Sequence, residues 1–128
     1  LGGFLGNPTG PELPMEFKDK CREIRERYGL NRKDMSLVCG LGINSWANYE
    51  RGEKPSRSIA AFIILIRDPY AMRFLLDILP SEDKDYLGKK YERCYNLVLE
   101  RQQTIKVTLD IHRHELVTTG KGIEYKTN

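Results

Sequence analysis

Residues Leu30 to Pro55 read LNRKDMSLVCGLGINSWANYERGEKP, and the spacing within this stretch decides the fold. Met35, Val38 and Cys39 recur at helical spacing, Gly40-Leu41-Gly42 breaks the run, and Ile43 to Glu50 resumes it around Trp46 and Tyr49. Asn31 suits the cap of the first helix, because its side-chain oxygen accepts from backbone N–H groups that have no partner one turn in. Gly52 suits the stop of the second, since a left-handed residue after a helix end costs glycine little. Two short helices across a tight glycine-bearing turn make a helix-turn-helix, whose second helix can enter a DNA major groove.

On that second helix, Trp46 and Tyr49 lie three residues apart and are expected to face the core. Ile43, Asn44, Ala47 and Asn48 then fall on or near the opposite side, with Ser45 at its edge. That side carries no acidic residue. Asparagine pairs bidentately with adenine through N6 and N7, and Ile43 or Ala47 packs on a thymine methyl, so these five residues are the candidate base contacts. The competing reading is a plain polar surface. Lys33 in the first turn of the preceding helix, and Arg51, Lys54 and Arg57 in the loop beyond, are candidate phosphate contacts, which position a protein without reading sequence. Ser36 is expected to be small so that the two helices can approach. Asp34 reads as compensation of the helix dipole, and Glu50 as a tie to backbone or to an arginine of the helix before.

Leu30, Met35, Ser36, Gly40, Leu41, Trp46, Tyr49-Glu50, Gly52 and Pro55 together resemble the helix-turn-helix of the Cro/lambda-repressor-like (Xre) regulators, without a gap. Within that family the run RERYGL, KDMS, GLGINSW, YERGEKP is most similar to the DNA-binding half of MqsA-type antitoxins. The resemblance implies a DNA-binding repressor of its own operon, acting as a homodimer and also binding a toxin protein. It implies that Arg32 stands where the family usually has a phosphate-clamping Gln; Arg is a longer, charged donor that suits the task. It also exposes departures. Gly42 stands where Ser or Thr commonly caps the recognition helix. The Cys-rich zinc module that precedes the antitoxin helix-turn-helix has no counterpart in residues 1–14, which hold no cysteine. The chain is therefore expected to be a fragment or a member of a branch without that module. Toxin binding would then use another surface, for which the tail beyond Gln103 is the candidate.

Outward from the motif, residues 1–14 are Gly- and Pro-rich and are expected to be flexible. A helix from about Met15 to Tyr28 carries one apolar stripe, Phe17, Cys21, Ile24 and Tyr28, with mixed charges on its other faces. After the motif, a helix from Ser56 or Ser58 to about Arg67 and another from Asp68-Pro69 to Pro80 are almost wholly apolar, more than one small core needs. Either the next helix, from Ser81 to about Gln102, covers them or a second subunit does. Beyond Gln103, Ile105, Val107, Leu109 and Ile111 alternate with other residues, which predicts a half-buried strand. A turn at Thr119-Gly120-Lys121-Gly122 then predicts a hairpin.

The expected fold is thus mainly α: a five- to six-helix lambda-repressor-like domain with a short C-terminal strand or hairpin. Its parts are residues 15–67 for DNA binding, 68–103 for a helical extension and dimerisation, and 104–128 for the hairpin.

Composition bounds the function classes. The formal charge of +3 lies wholly in residues 1–67, which hold 11 Lys and Arg against 8 Asp and Glu, while residues 68–128 hold 10 of each. A basic excess beside such a motif fits binding to phosphates. The three cysteines, Cys21, Cys39 and Cys94, form no C-x-x-C pair, which argues against a disulfide framework or a thiolate zinc site and for reduced thiols in the cytoplasm. Asp110, His112, His114 and Glu115 invite a metal reading, but spacing places no further ligand and no metal is assigned. No membrane-length apolar run, nucleophile–base pair or phosphate-cradling glycine loop is present, so no membrane partner, cofactor or enzyme activity is expected. The alternative to DNA reading is a helix-turn-helix-shaped protein-interaction module.

Overall fold

The computed structural model describes residues 15–118, and side chains as far as residue 114. Seven helices follow in order: α1 (Phe17–Arg27), α2 (Arg32–Val38), α3 (Ser45–Glu50), α4 (Arg57–Leu65), α5 (Pro69–Asp77), α6 (Ser81–Leu87) and α7 (Lys89–Thr118). No strand occurs among the described residues. α1 and α2 both pack on α3, α5 lies along α7, and α6 touches α2 and α7.

Local chemistry explains most of the boundaries. Asn31 Oδ1 accepts from the Asp34 N–H at 2.7 Å, Ser56 Oγ from Ile59 at 3.3 Å, and Asp68 Oδ1 from Tyr70 at 2.8 Å, with Pro69 as the first residue of α5. At the end of α2 the Gly40 N–H donates to the Leu37 carbonyl at 3.0 Å and the Leu41 N–H to that of Ser36 at 2.9 Å. This reciprocal pair requires a left-handed residue between them, and Gly40 supplies it with φ +71°. α3 ends the same way at Gly52 and Glu53, whose N–H groups donate to Tyr49 and Asn48.

One core runs through the helices on both sides of residue 67. Cys21, Ile24 and Tyr28 of α1, Met35 and Val38 of α2, Trp46 of α3, Ile63 of α4, Met72 and Leu76 of α5, and Cys94 and Val98 of α7 are all buried in it. The Tyr28 hydroxyl lies 2.9 Å and 2.8 Å from the Ile66 and Arg67 carbonyl oxygens, tying α1 to the end of α4, and burial pushes its pKa up to about 12. The tyrosines of α7 turn their polar tips onto α5: Tyr91 donates to the Leu76 carbonyl at 3.0 Å and Tyr95 to Asp77 Oδ1 at 2.7 Å. α7 thus covers the inner face of α5 (Met72, Leu76), while Tyr70, Phe74 and Ile78 on its outer face stay exposed. The apolar excess expected of these helices is only half covered within one chain.

Two expectations are corrected. The helix expected from Ser81 to Gln102 is broken at Gly88, whose φ of +54° and ψ of −121° lie outside helical space, so α6 and α7 are separate helices. The strand expected at Ile105, Val107, Leu109 and Ile111 is instead helical, within the 30-residue α7. A period of two builds a strand only where one face is buried, and all four of these side chains are exposed. Nothing buried there opposes the helix that runs on from Val98. Residues 1–14, expected to be flexible, and the turn expected at Thr119–Gly122 lie outside the described residues.

Candidate nucleic-acid interface

α3 is too short to hold itself, and α1 and α2 fix it. Trp46 is fully buried and Tyr49 nearly so, which places both in the core rather than against a ligand. The first turn of α3 has no side-chain cap of its own, because Asn44 at the cap position makes no such bond. The cap comes from α2: Ser36 Oγ, fully buried, accepts from the Trp46 N–H at 2.9 Å. Ser36 therefore allows close approach and also satisfies a donor that neither Gly42 nor Asn44 serves. Ser36→Ala is expected to keep the packing and lose the cap, lowering stability by about 1–2 kcal/mol in a urea titration.

The far end of α3 is held by charge. The Glu50 carboxylate, 3% exposed, accepts from Arg25 Nε at 2.5 Å and Nη2 at 3.1 Å, and from Arg32 Nε at 3.1 Å. Glu50 thus does tie down an arginine of α1, and Arg32 as well. Arg32 remains half exposed, and its terminal nitrogens make no hydrogen bond among the described residues. It can hold Glu50 through Nε while facing an external anion with the rest of the guanidinium. Lys33, Arg51, Lys54 and Arg57 are exposed, and none makes an ion pair among the described residues.

In the chain, these cations come before and after the residues expected to read bases. Ile43 and Asn44 fall in the turn ahead of α3 rather than inside it, a shift from the start expected at Ile43, and both are exposed. Ser45, Ala47 and Asn48 are half-buried. Asn44 has its side-chain amide free of the helix cap, whereas Asn48 Oδ1 already accepts from Arg51 Nη2. The two asparagines, equivalent by spacing, are therefore not equivalent in the fold.

Comparison with protein-family models, with curated proteins and with solved structures found no match.

Burial by itself raises the Glu50 carboxyl pKa, but the hydrogen bonds and charges of Arg25 and Arg32 outweigh it and hold the group below its ordinary 4.5. A depressed carboxyl contributes stability that is present above its unfolded pKa and is lost as pH falls through the folded one. The melting temperature is therefore expected to be steady from neutral pH to about pH 5 and to fall below about pH 4.5, less steeply in Glu50→Gln. A wild-type melting temperature that rises or stays flat on acidification to about pH 3 would contradict the assignment.

One contact had no local signal. Asp34, read by sequence as a dipole partner, is 1% exposed, and Lys90 Nζ of α7 sits 2.8 Å from its Oδ2. Lys90 Nζ donates to the Asp34 carboxylate, whose negative charge also attracts it, and both raise the lysine pKa. This pair spans 56 positions and pins α7 to the first turn of α2. The three thiols are free, and burial pushes each up to about 12, which suits inert structural cysteines. His112 and His114 lie on the helix α7, where alternate residues do not share a face, so the basis for a converging His pair is gone. Among the described residues no three His, Cys, Asp or Glu side chains gather as metal ligands, and no helix is long and apolar enough to cross a membrane.

Proposed function

We propose that this chain is a sequence-specific double-stranded DNA-binding regulator of the Cro/lambda-repressor-like type, acting as a repressor in the cytoplasm. What supports the reading is the set Ile43, Asn44, Ala47 and Asn48, none of them acidic, with the exposed cations Arg32, Lys33, Arg51, Lys54 and Arg57 before and after it in the chain. α2 and α3 act as the helix-turn-helix, with α3 and the turn before it in the major groove. The outer face of α5, with Tyr70, Phe74 and Ile78 exposed, is the surface through which a second copy pairs. Such a dimer sets two recognition helices about 34 Å apart on a two-fold operator. In the narrower antitoxin reading, a toxin protein is the second partner, and the exposed length of α7 beyond Gln103 is where it binds. Truncation after Gln103 should then release a co-purifying partner.

The same exposed apolar surfaces favour a second reading, a protein-interaction module that keeps the shape without reading DNA. One titration separates the two. A regulator binds random duplex DNA at low salt. With five contacts per protomer, the logarithm of its affinity should fall against the logarithm of salt with a slope of about −9 for a dimer. An interaction module shows no DNA binding at any salt.

A further inference from the structure

Between α2, the turn after it and α6 lies a hollow of about 380 Å³. Its volume falls within the range of small-molecule sites, roughly 300–1,000 Å³. Leu37 and Leu41 line it from the α2 side, half-buried, and Ile43 and Tyr86 extend it outward, each 59% exposed. None of the base- or phosphate-reading roles above uses Leu37, Leu41 or Tyr86.

The charge around the hollow is unbalanced. Asp34 lines it but is neutralised by Lys90 at 2.8 Å. Glu82 and Asp83, at the start of α6, also line it, and neither makes an ion pair among the described residues. Among the described residues Lys33 is the one cation that lines the hollow with them, leaving one negative charge in excess. An apolar floor, an exposed phenol ring and two carboxylates that carry one negative charge in excess select a ligand with an apolar body and a positive head: Tyr86 offers a face for ring or cation, and the carboxylates accept from an ammonium group. We propose that this hollow is a binding site for an organic monocation, an aryl- or alkylammonium compound of small-molecule size. The site shares Ile43 and Lys33 with the proposed DNA edge, so the two ligands would be linked: each changes the other's affinity by the same factor.

The test uses the full chain and two probes of matched shape and opposite charge, 2-phenylethylammonium and 3-phenylpropionate, followed by the methyl NMR signals of Leu37, Leu41 and Ile43. Saturable shifts with the ammonium probe, and binding roughly five- to ten-fold weaker for the carboxylate probe and for the double variant E82Q/D83N, are expected. Glu82 is exposed and Asp83 half-buried, and the remaining spectrum of the double variant reports whether the fold is kept. Equal binding of both probes, undiminished binding in the double variant, or no saturable shift of these methyls up to roughly 10 mM, ample for so small a ligand, would overturn the proposal. DNA takes no part in this measurement, so a failure of the regulator reading leaves its outcome intact.

Discussion

Alanine at both Asn44 and Asn48 is expected to flatten the sequence preference of the protein on DNA while leaving its affinity for random DNA almost unchanged. Each asparagine that pairs with an adenine contributes about 1–3 kcal/mol of discrimination at that base. The two single variants should differ. Asn44 makes no side-chain cap bond, so Asn44→Ala is expected to remove only the proposed base contact. Asn48 holds Arg51 through Oδ1, so Asn48→Ala also frees that arginine toward phosphate and offsets part of its loss with a contact that reads no sequence. Titrations against one preferred duplex and one scrambled duplex measure both effects. A double variant that keeps the full wild-type preference would remove Asn44 and Asn48 from base reading.

Trp46→Ala is expected to cost about 3–5 kcal/mol of folding stability, a large part of the roughly 5–15 kcal/mol that holds a domain of this kind. Trp46, on α3, is the largest fully buried side chain among the described residues and belongs to the core cluster. Its indole N–H is buried and has no acceptor among the described residues. Trp46→Phe should therefore be milder than truncation to alanine, since it keeps a ring in place and removes an unpaired donor. The order wild type, then Phe, then Ala in urea midpoints is the expected result. If Trp46→Ala melts with wild type but loses DNA, the residue would be a ligand contact instead of core.

The sequence carried most of α2, α3 and their surroundings because the signals there are local. A cap such as Asn31, Ser56 or Asp68 acts within three residues, a turn glycine such as Gly40 within two, and the Trp46 and Tyr49 spacing marks a buried side directly. What stayed hidden is non-local. Ser36 capping α3 reaches across ten positions, and the Asp34–Lys90 pair reaches across 56. The tail misled for a different reason. Ile105, Val107, Leu109 and Ile111 satisfy the strand period, but a period has force only through burial, and no described surface covers them. The candidate site was legible as a set of residue types. Its asymmetry, with Asn44 free, Asn48 engaged by Arg51 and Arg32 shared with Glu50, required the geometry.

Selection of duplexes from a random double-stranded pool by the wild-type chain tests DNA reading through α3 most directly. The expected outcome is one enriched motif with two-fold symmetry, its half-sites about 10 base pairs apart and each carrying an adenine whose enrichment disappears with the Asn44 and Asn48 double variant. A recovered pool indistinguishable from the input, at a salt concentration where the protein still binds DNA, would contradict it.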